Sequence, residues 1–402
     1  MSHYKAYAVR KASGVEWLGQ VPMHWGVIPF KWLADIRNGK DYKYVEVEDS
    51  GFPVIGSGGE FARASQYLFN GEAVLLGRKG TIDRPLYING PFWTVDTMFY
   101  TVIGPKVVAK YIYYCSLTIQ FDRYSTNTAL PSMTQEVLGQ ILFAVPEIRE
   151  QCEIVTHLDR ETARIDSLVN KKTRFIELLC EKRQALITHA VTKGLGPNVM
   201  MKDSGVEWLA QVPAYWQVKK LKYLCKIQTG DKDTVNAEDE GQYPFFVRSQ
   251  TIERINSYTK NCEAVLTAGD GVGVGKVFHY FEGKFDFHQR VYMLNRFSEI
   301  TGRFFFYYLQ CNFHKVALDG GAKSTVDSLR LPVFLNFQMT VPPLDEQVLI
   351  LDFIEMNATR IDTLIIKTER SIELLKERRS ALITAAVTGQ IDLREEQHES
   401  RA

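Results

Sequence analysis

The chain lacks any apolar run long enough to cross a membrane. Its apolar runs are short, among them Ala264-Val265-Leu266 and Phe304-Phe305-Phe306-Tyr307-Tyr308-Leu309, far short of the ~18–20 residues a spanning helix needs. The start, Met1-Ser2-His3-Tyr4-Lys5, has no apolar core of a secretory signal, so a cytoplasmic location is expected. A charge excess is also missing. With 48 basic and 47 acidic residues the net charge is +1, so any nucleic-acid surface must be local. The six cysteines (Cys115, Cys152, Cys180, Cys225, Cys262, Cys311) include no C-x-x-C pair. That spacing fits neither a zinc site nor a disulfide framework, and reduced, mostly buried thiols are expected.

Catalytic signatures are absent too. The glycine-rich stretch Gly269 to Lys276 fails as a phosphate loop, because Asp270 stands where the first glycine is required and Val277 where Ser or Thr is required. No H-E-x-x-H or G-x-S-x-G pattern occurs. No Asn/Asp-Pro-Pro-aromatic motif occurs either, since Pro342-Pro343 is followed by Leu344. His157 and His189 have Phe353 and Ala385 as repeat counterparts, which argues for structural roles. No catalytic residue, metal site or cofactor is expected.

What is present is a duplication. Its 402 residues, 45% hydrophobic and 24% charged, suit a globular chain of two to four domains. Residues 13–25, Ser-Gly-Val-Glu-Trp-Leu-Gly-Gln-Val-Pro-Met-His-Trp, recur at 204–216 with 10 of 13 identical. Pro146 to Gly194 aligns without gaps on Pro342 to Gln390, with 23 of 49 identical. Between these, the inserts (~31–145 and ~222–341) do not align by eye. A conserved scaffold with diverged inserts suggests that the inserts choose targets and the scaffold places them.

The second repeat predicts long helices. Leu158, Ile165, Leu179 and Leu186, matched by Ile354, Ile361, Leu375 and Leu382, follow a coiled-coil seam. Lys172/Thr368 and Arg183/Arg379 interrupt both seams. Acidic first turns (Glu147, Glu150, Glu153; Asp345, Glu346) suit the helix dipole, and Gly194 and Gly389 end the two helices. Two such helices should pack antiparallel if the chain returns through a domain. The inserts, turn-rich and aromatic, predict mixed β-rich domains. The expected fold is α+β: two β-rich domains separated by a long antiparallel two-helix coiled coil, with an internal pseudo-two-fold repeat. The expected boundaries are 1–145 and 197–341 for the domains, 146–196 and 342–395 for the helices, and 396–402 for a tail.

Local signals for DNA contact lie in the inserts. Arg78, Lys79, Thr81 and Arg84 sit in a glycine-flanked loop, and Ser57-Gly58 in a glycine-rich turn. In the second insert the candidates are Arg248, Gln250, Lys276, Lys323 and Arg330. Arg and Gln read guanine and adenine edges bidentately, and Lys holds phosphate. Insert charges, 11 basic against 11 acidic in 31–145 and 16 against 13 in 219–341, leave segregation of those charges as the requirement.

The opening motif Gly-Val-Glu-Trp-Leu-x-Gln-Val-Pro, duplicated, resembles the specificity subunit of type I restriction–modification systems. So do Glu150-Gln151 with Arg164-Ile165-Asp166, and Glu346-Gln347 with Arg360-Ile361-Asp362. Gly77-Arg78-Lys79-Gly80 followed by Phe92-Trp93-x-x-Asp96-Thr97 resembles a target-recognition-domain pattern, which the second insert lacks. The resemblance covers essentially the whole chain. It implies a non-catalytic subunit with two target-recognition domains, each reading half of a bipartite site in double-stranded DNA. It further implies two modification subunits that methylate adenine with S-adenosylmethionine, ATP-dependent restriction subunits, and no membrane. The competing reading is a coiled-coil scaffold that joins two ligand-binding domains without contacting DNA.

Overall fold

A computed structural model of the chain describes residues 4–125, 131–317 and 329–394. It divides into two units. One joins Met1–Thr173 to Glu369–Ala402, and the other is Arg174–Thr368.

The first unit opens with three short strands, β1 (Arg10–Ala12), β2 (Gln20–Pro22) and β3 (Gly26–Pro29). Seven more follow: β4 (Ala34–Asn38), β5 (Glu46–Val47), β6 (Phe52–Gly56), β7 (Gly59–Ala64), β8 (Phe69–Gly77), β9 (Leu86–Thr94) and β10 (Met98–Ile103). They form one mixed sheet in the order β4-β10-β8-β9-β6-β7-β5. Helices α1 (Ala109–Ser116) and α2 (Gln135–Gln140) come next, then β11 (Leu142–Val145), which pairs with β3 and so brings the end of the domain to its beginning.

This sheet must curl. Phe92 pairs with Phe69 at one end of β8, and Met98 with Gly77 at the other. Eight residues of strand cover about 27 Å, whereas the six from Phe92 to Met98 reach at most ~20 Å. Curvature enters at Gly71, opposite Gly90, both with positive φ (145° and 115°), a conformation glycine reaches without strain. The curled interior holds Ala73, Leu75, Phe92, Met98 and Tyr100.

The second unit repeats the plan. After α3 (Ile148–Lys193) come β12 (Met201–Asp203), β13 (Gln211–Pro213) and β14 (Gln217–Lys220). Its sheet comprises β15 (Lys226–Thr229), β16 (Tyr243–Phe246), β17 (Glu253–Ile255), β18 (Lys260–Ala268), β19 (Phe278–Phe287) and β20 (Val291–Asn295). The order is β15-β20-β18-β19-β16-β17. Helices α4 (Gly302–Asn312), α5 (His314–Ala317) and α6 (Leu331–Asn336) lead to β21 (Gln338–Val341), which pairs with β14, and then to α7 (Leu344–Val387). The same curl recurs, with Phe285 on Lys260 and Val291 on Ala268. Both inserts are the mixed β-rich domains expected, and although their sequences do not align by eye they share one strand order, to which the first sheet adds the edge strand β5.

The long helices, 46 and 44 residues, pack antiparallel, each unit holding one half of each. In the first unit Arg379 pairs with Asp166 at 3.0 Å, and in the second Arg183 pairs with Asp362 at 3.2 Å. The residue numbers sum to 545 in both, as antiparallel partners must. Arg183 and Arg379 thus interrupt the apolar seam because each reaches the facing helix's aspartate. Seam residues Leu158, Ile165 and Leu179, with Ile354, Ile361 and Leu382, are buried.

A Glu-Gln pair at the start of each long helix ties it to its domain. Glu150 is buried and accepts hydrogen bonds from Tyr7 Oη (2.7 Å) and Trp25 Nε1 (3.2 Å), with His24 Nε2 at 2.8 Å. Glu346 accepts from Trp216 Nε1 (2.9 Å) and Tyr215 Oη (3.0 Å). Gln151 accepts from Val108 N and donates to the Pro146 and Lys106 carbonyls. Gln347 does the same with Thr301, Pro342 and Glu299. Burial, with Glu150 beside it, pushes the Tyr7 hydroxyl well above the usual tyrosine range. The opposite helix closes each tryptophan pocket. Gly389 lies so near Trp25 and Pro22 that a Cβ would stand 2.2 Å from Pro22, and Gly194 likewise abuts Trp216 and Glu346.

All six cysteines are free. Cys115 and Cys311 are buried, and burial pushes the half-buried Cys225 thiol up to about 12. Cys152 and Cys180 are exposed on α3, which limits the expectation of mostly buried thiols.

Two outcomes follow for the coil. Arg183→Asp should lower stability by about 1 kcal/mol, since the pair is a third to a half exposed and screened. Combining it with Asp362→Arg should restore most of the loss, read by thermal denaturation. Glu150→Ala strands the buried Tyr7 hydroxyl and Trp25 indole N–H and should cost more, about 2–4 kcal/mol.

Candidate nucleic-acid interface

The candidate residues of the first unit lie on the loops that connect the sheet's strands. In the first unit, Ser57 and Gly58 form the two-residue turn of the β6–β7 hairpin, between the paired Gly56 and Gly59. The link 95–97 lies beside this turn, because Val95 N donates to the Ile55 carbonyl. The same link holds the arginine loop. Arg78 N donates to the Thr97 carbonyl at 2.8 Å, and its guanidinium to the Asp96 carbonyl at 3.2 Å. Lys79 is exposed and bridges to Ser132, and Thr81 and Arg84 are exposed further along. Only glycine fits at Gly77, where a Cβ would meet the Thr81 carbonyl oxygen at 2.3 Å.

In the second unit the structure brings Arg248 to the glycine-rich loop. Arg248 Nη1 donates to Asp270 Oδ1 at 2.9 Å, and Arg290 Nη1 donates to Asp270 Oδ2, also at 2.9 Å. A groove of about 360 Å³ opens between these loops, lined by Thr234, Arg248, Ser249, Asp270 and Val272. Gln250 is exposed at its margin. Lys276 is exposed at the far side of the loop, its N–H on the Gly273 carbonyl. Arg330 is exposed at the start of α6, directly after Leu329, whose N–H bonds the Gly269 carbonyl. Lys323 lies outside the described residues. Nearby His288 is held below the usual histidine range, first by burial and further by Arg248 and Arg290, against the pull of Asp233.

The two loops occupy one structural position. Arg78 N bonds the Thr97 carbonyl as Gly269 N bonds the Arg290 carbonyl. Gly80 and Gly271 share a positive φ (82° and 78°). Lys79 therefore corresponds to Asp270, and Thr97 to Arg290. Sequence reading missed Asp270 and Arg290 as a pair. A signal existed: Asn70-x-Glu72-Ala73-Val74-Leu75 matches Asn261-x-Glu263-Ala264-Val265-Leu266 at the 191-residue offset of the opening motif. Extending that offset aligns the loops.

Among the described residues, no group of His, Cys, Asp and Glu could hold a metal ion, and no helix is long and apolar enough to cross a membrane. His157 is buried against Tyr4 and Arg160, a structural position.

The model of the "Type I restriction modification DNA specificity domain" family matches residues 22–178 and 213–375, once in each half of the chain. The chain is 29% identical over 181 residues, 45% of its length, to the type I restriction enzyme EcoDI specificity subunit of Escherichia coli, and the match spans 40% of that relative. It is 22% identical over 349 residues to the MjaVIII specificity subunit of Methanocaldococcus jannaschii, 80% of this chain and 77% of that one. In fold it resembles a chain solved in work on complex assembly and conformational transition of a type I system (TM-score 0.70, 14% identity, 92% and 99% covered). It also resembles the HsdS subunit of Thermoanaerobacter tengcongensis (TM-score 0.51, 12% identity, 92% and 98% covered).

Gly77→Ala tests the loop's anchoring. The clash is with backbone rather than a flexible side chain, so the variant should lose about 1–3 kcal/mol, and amide hydrogen exchange should rise first in residues 78–82.

Proposed function

The chain belongs to the family of type I restriction–modification DNA specificity domains, and we propose that it is the non-catalytic specificity subunit of such a system, each unit reading one half of a bipartite duplex target. Two matches of one family model, falling on two copies of one sheet order, carry this reading. The loops supply what duplex recognition needs: exposed Arg, Lys, Gln and Thr on glycine-shaped backbone. The partners are two modification subunits, which methylate adenine with S-adenosylmethionine, and restriction subunits, which translocate and cut with ATP. Exposed apolar residues on the long helices, Leu168 and Leu374 in one unit and Leu178, Leu364 and Ile366 in the other, suit docking of a modification subunit on each.

In the first unit, Arg78 reads a base edge and Lys79 a phosphate. Arg78→Ala should cost ~1–3 kcal/mol and relax specificity at one position, whereas Lys79→Ala should weaken binding to all duplexes and lower the salt slope by about one. Methylome sequencing of cells carrying each variant separates these outcomes; an unchanged motif in Arg78→Ala cells removes the assignment. Analytical ultracentrifugation with the methyltransferase should show two copies per chain, and a single copy would contradict the docking scheme. A wild-type complex with no salt-dependent duplex affinity would favour the scaffold instead.

A further inference from the structure

We infer that Arg248 and Arg290 are a guanine-reading pair oriented by one shared carboxylate, Asp270, which makes Arg290 a specificity-determining residue and Asp270 a positioning residue. The inference rests on the DNA-reading assignment above. The two arginines come from different loops, one after β16 and one in the β19–β20 turn, yet each places Nη1 2.9 Å from a different oxygen of the same aspartate. Asp270 is the least exposed of the three side chains, at 19% against 40% and 57% for Arg248 and Arg290. The carboxylate thus lies behind, and the guanidinium groups face outward.

A guanidinium presents five N–H donors in a planar fork. Holding one nitrogen on a carboxylate fixes that plane and leaves the remaining edge free for the O6 and N7 acceptors of guanine. Backbone packing keeps the clamp in place. Gly273 passes so close to Arg248 that a Cβ would stand 2.5 Å from its carbonyl oxygen. Arg290 N donates to His288 Nδ1 at 2.9 Å. The first unit has Lys79 and Thr97 at the positions of Asp270 and Arg290, so it cannot build this clamp and reads its half-site by other contacts.

Removing the carboxylate separates positioning from plain support. A negative charge close behind the outward-facing arginines offsets their attraction for any phosphate backbone, so its loss should hold or raise affinity for unrelated duplex while discrimination falls. A supporting residue would lower both together.

The test uses the full chain assembled with its methyltransferase, its target first mapped by methylation sequencing. The half-site that changes in Arg248→Ala should contain two guanines, one relaxed by Arg248→Ala and the other by Arg290→Ala, each by roughly 5- to 150-fold. Asp270→Asn should relax both while unrelated-duplex affinity stays equal or rises, and Asp270→Glu should recover part of the discrimination. Replacing a guanine by 7-deazaguanine removes N7 without any protein variant. It should weaken wild-type binding, and at the guanine read by Arg290 it should change nothing further in Arg290→Ala. A half-site without guanine, wild-type discrimination in Arg290→Ala, indifference to 7-deazaguanine, or a parallel loss of target and unrelated binding in Asp270→Asn would each overturn the inference. These results leave duplex binding itself intact, whereas absence of any salt-dependent affinity in the wild-type complex would overturn the underlying assignment.

Discussion

A carboxylate beside a buried amide, at the first turn of each long helix, is the constraint on which both units depend. Glu150 and Glu346 take the indole N–H of Trp25 and Trp216, residues with no exposure at all. Gln151 and Gln347 take the backbone donor that opens α1 or α4 and return two N–H bonds to carbonyls. A helix start leaves unsatisfied N–H groups and a partial positive charge, where a carboxylate is favoured. These two residues join that terminus to the domain's opening motif and its first helix at once. Loss of either member leaves buried polar groups without partners, which is more costly than the bond itself. The helix is therefore fixed in direction relative to the sheet it follows.

The scaffold was legible because its physics is local and repeated. Seam spacing, acidic first turns and terminal glycines announce the helices, and duplicated tryptophans announce the motif that meets them. The arginines at 183 and 379 looked like flaws in the seam, because sequence alone does not say which residue faces them across an antiparallel pair; Asp362 and Asp166 do. The sheets were less legible. Their strands owe their pairing to curl and to contacts far apart in sequence, and their exposed faces have diverged. Loop chemistry was least legible. Arg290 is separated from Asp270 by the whole of strand β19, and no spacing rule links them. Arg248, Arg78 and Lys79 could be chosen from composition and flanking glycines, but which cation stands beside which carboxylate is a property of the folded loop.

The two units show how one backbone supports two surfaces. Gly80 and Gly271 hold the same left-handed turn, and the same main-chain bonds anchor the residues before it. With the backbone satisfied internally, the side chain at the loop's second position is not needed to hold the turn. It is Lys79 in one unit and Asp270 in the other, a reversal of charge on an unchanged framework. Such positions can vary without a cost in stability, which is the arrangement expected where recognition changes faster than fold.

The first unit is assembled from both ends of the chain. Its C-terminal contribution includes Gly389 against Trp25 and an Asp392 backbone N–H on the Lys5 carbonyl. The second unit is one uninterrupted stretch. During synthesis the emerging chain therefore completes its second half-length before its first. Residues 4–173 must wait, with the Trp25 pocket open on one side, until some two hundred later residues have been made. Released chains ending near residue 369 would carry a finished second unit and an unfinished first, and until the last residues emerge chaperones or assembling partners would find exposed apolar surface.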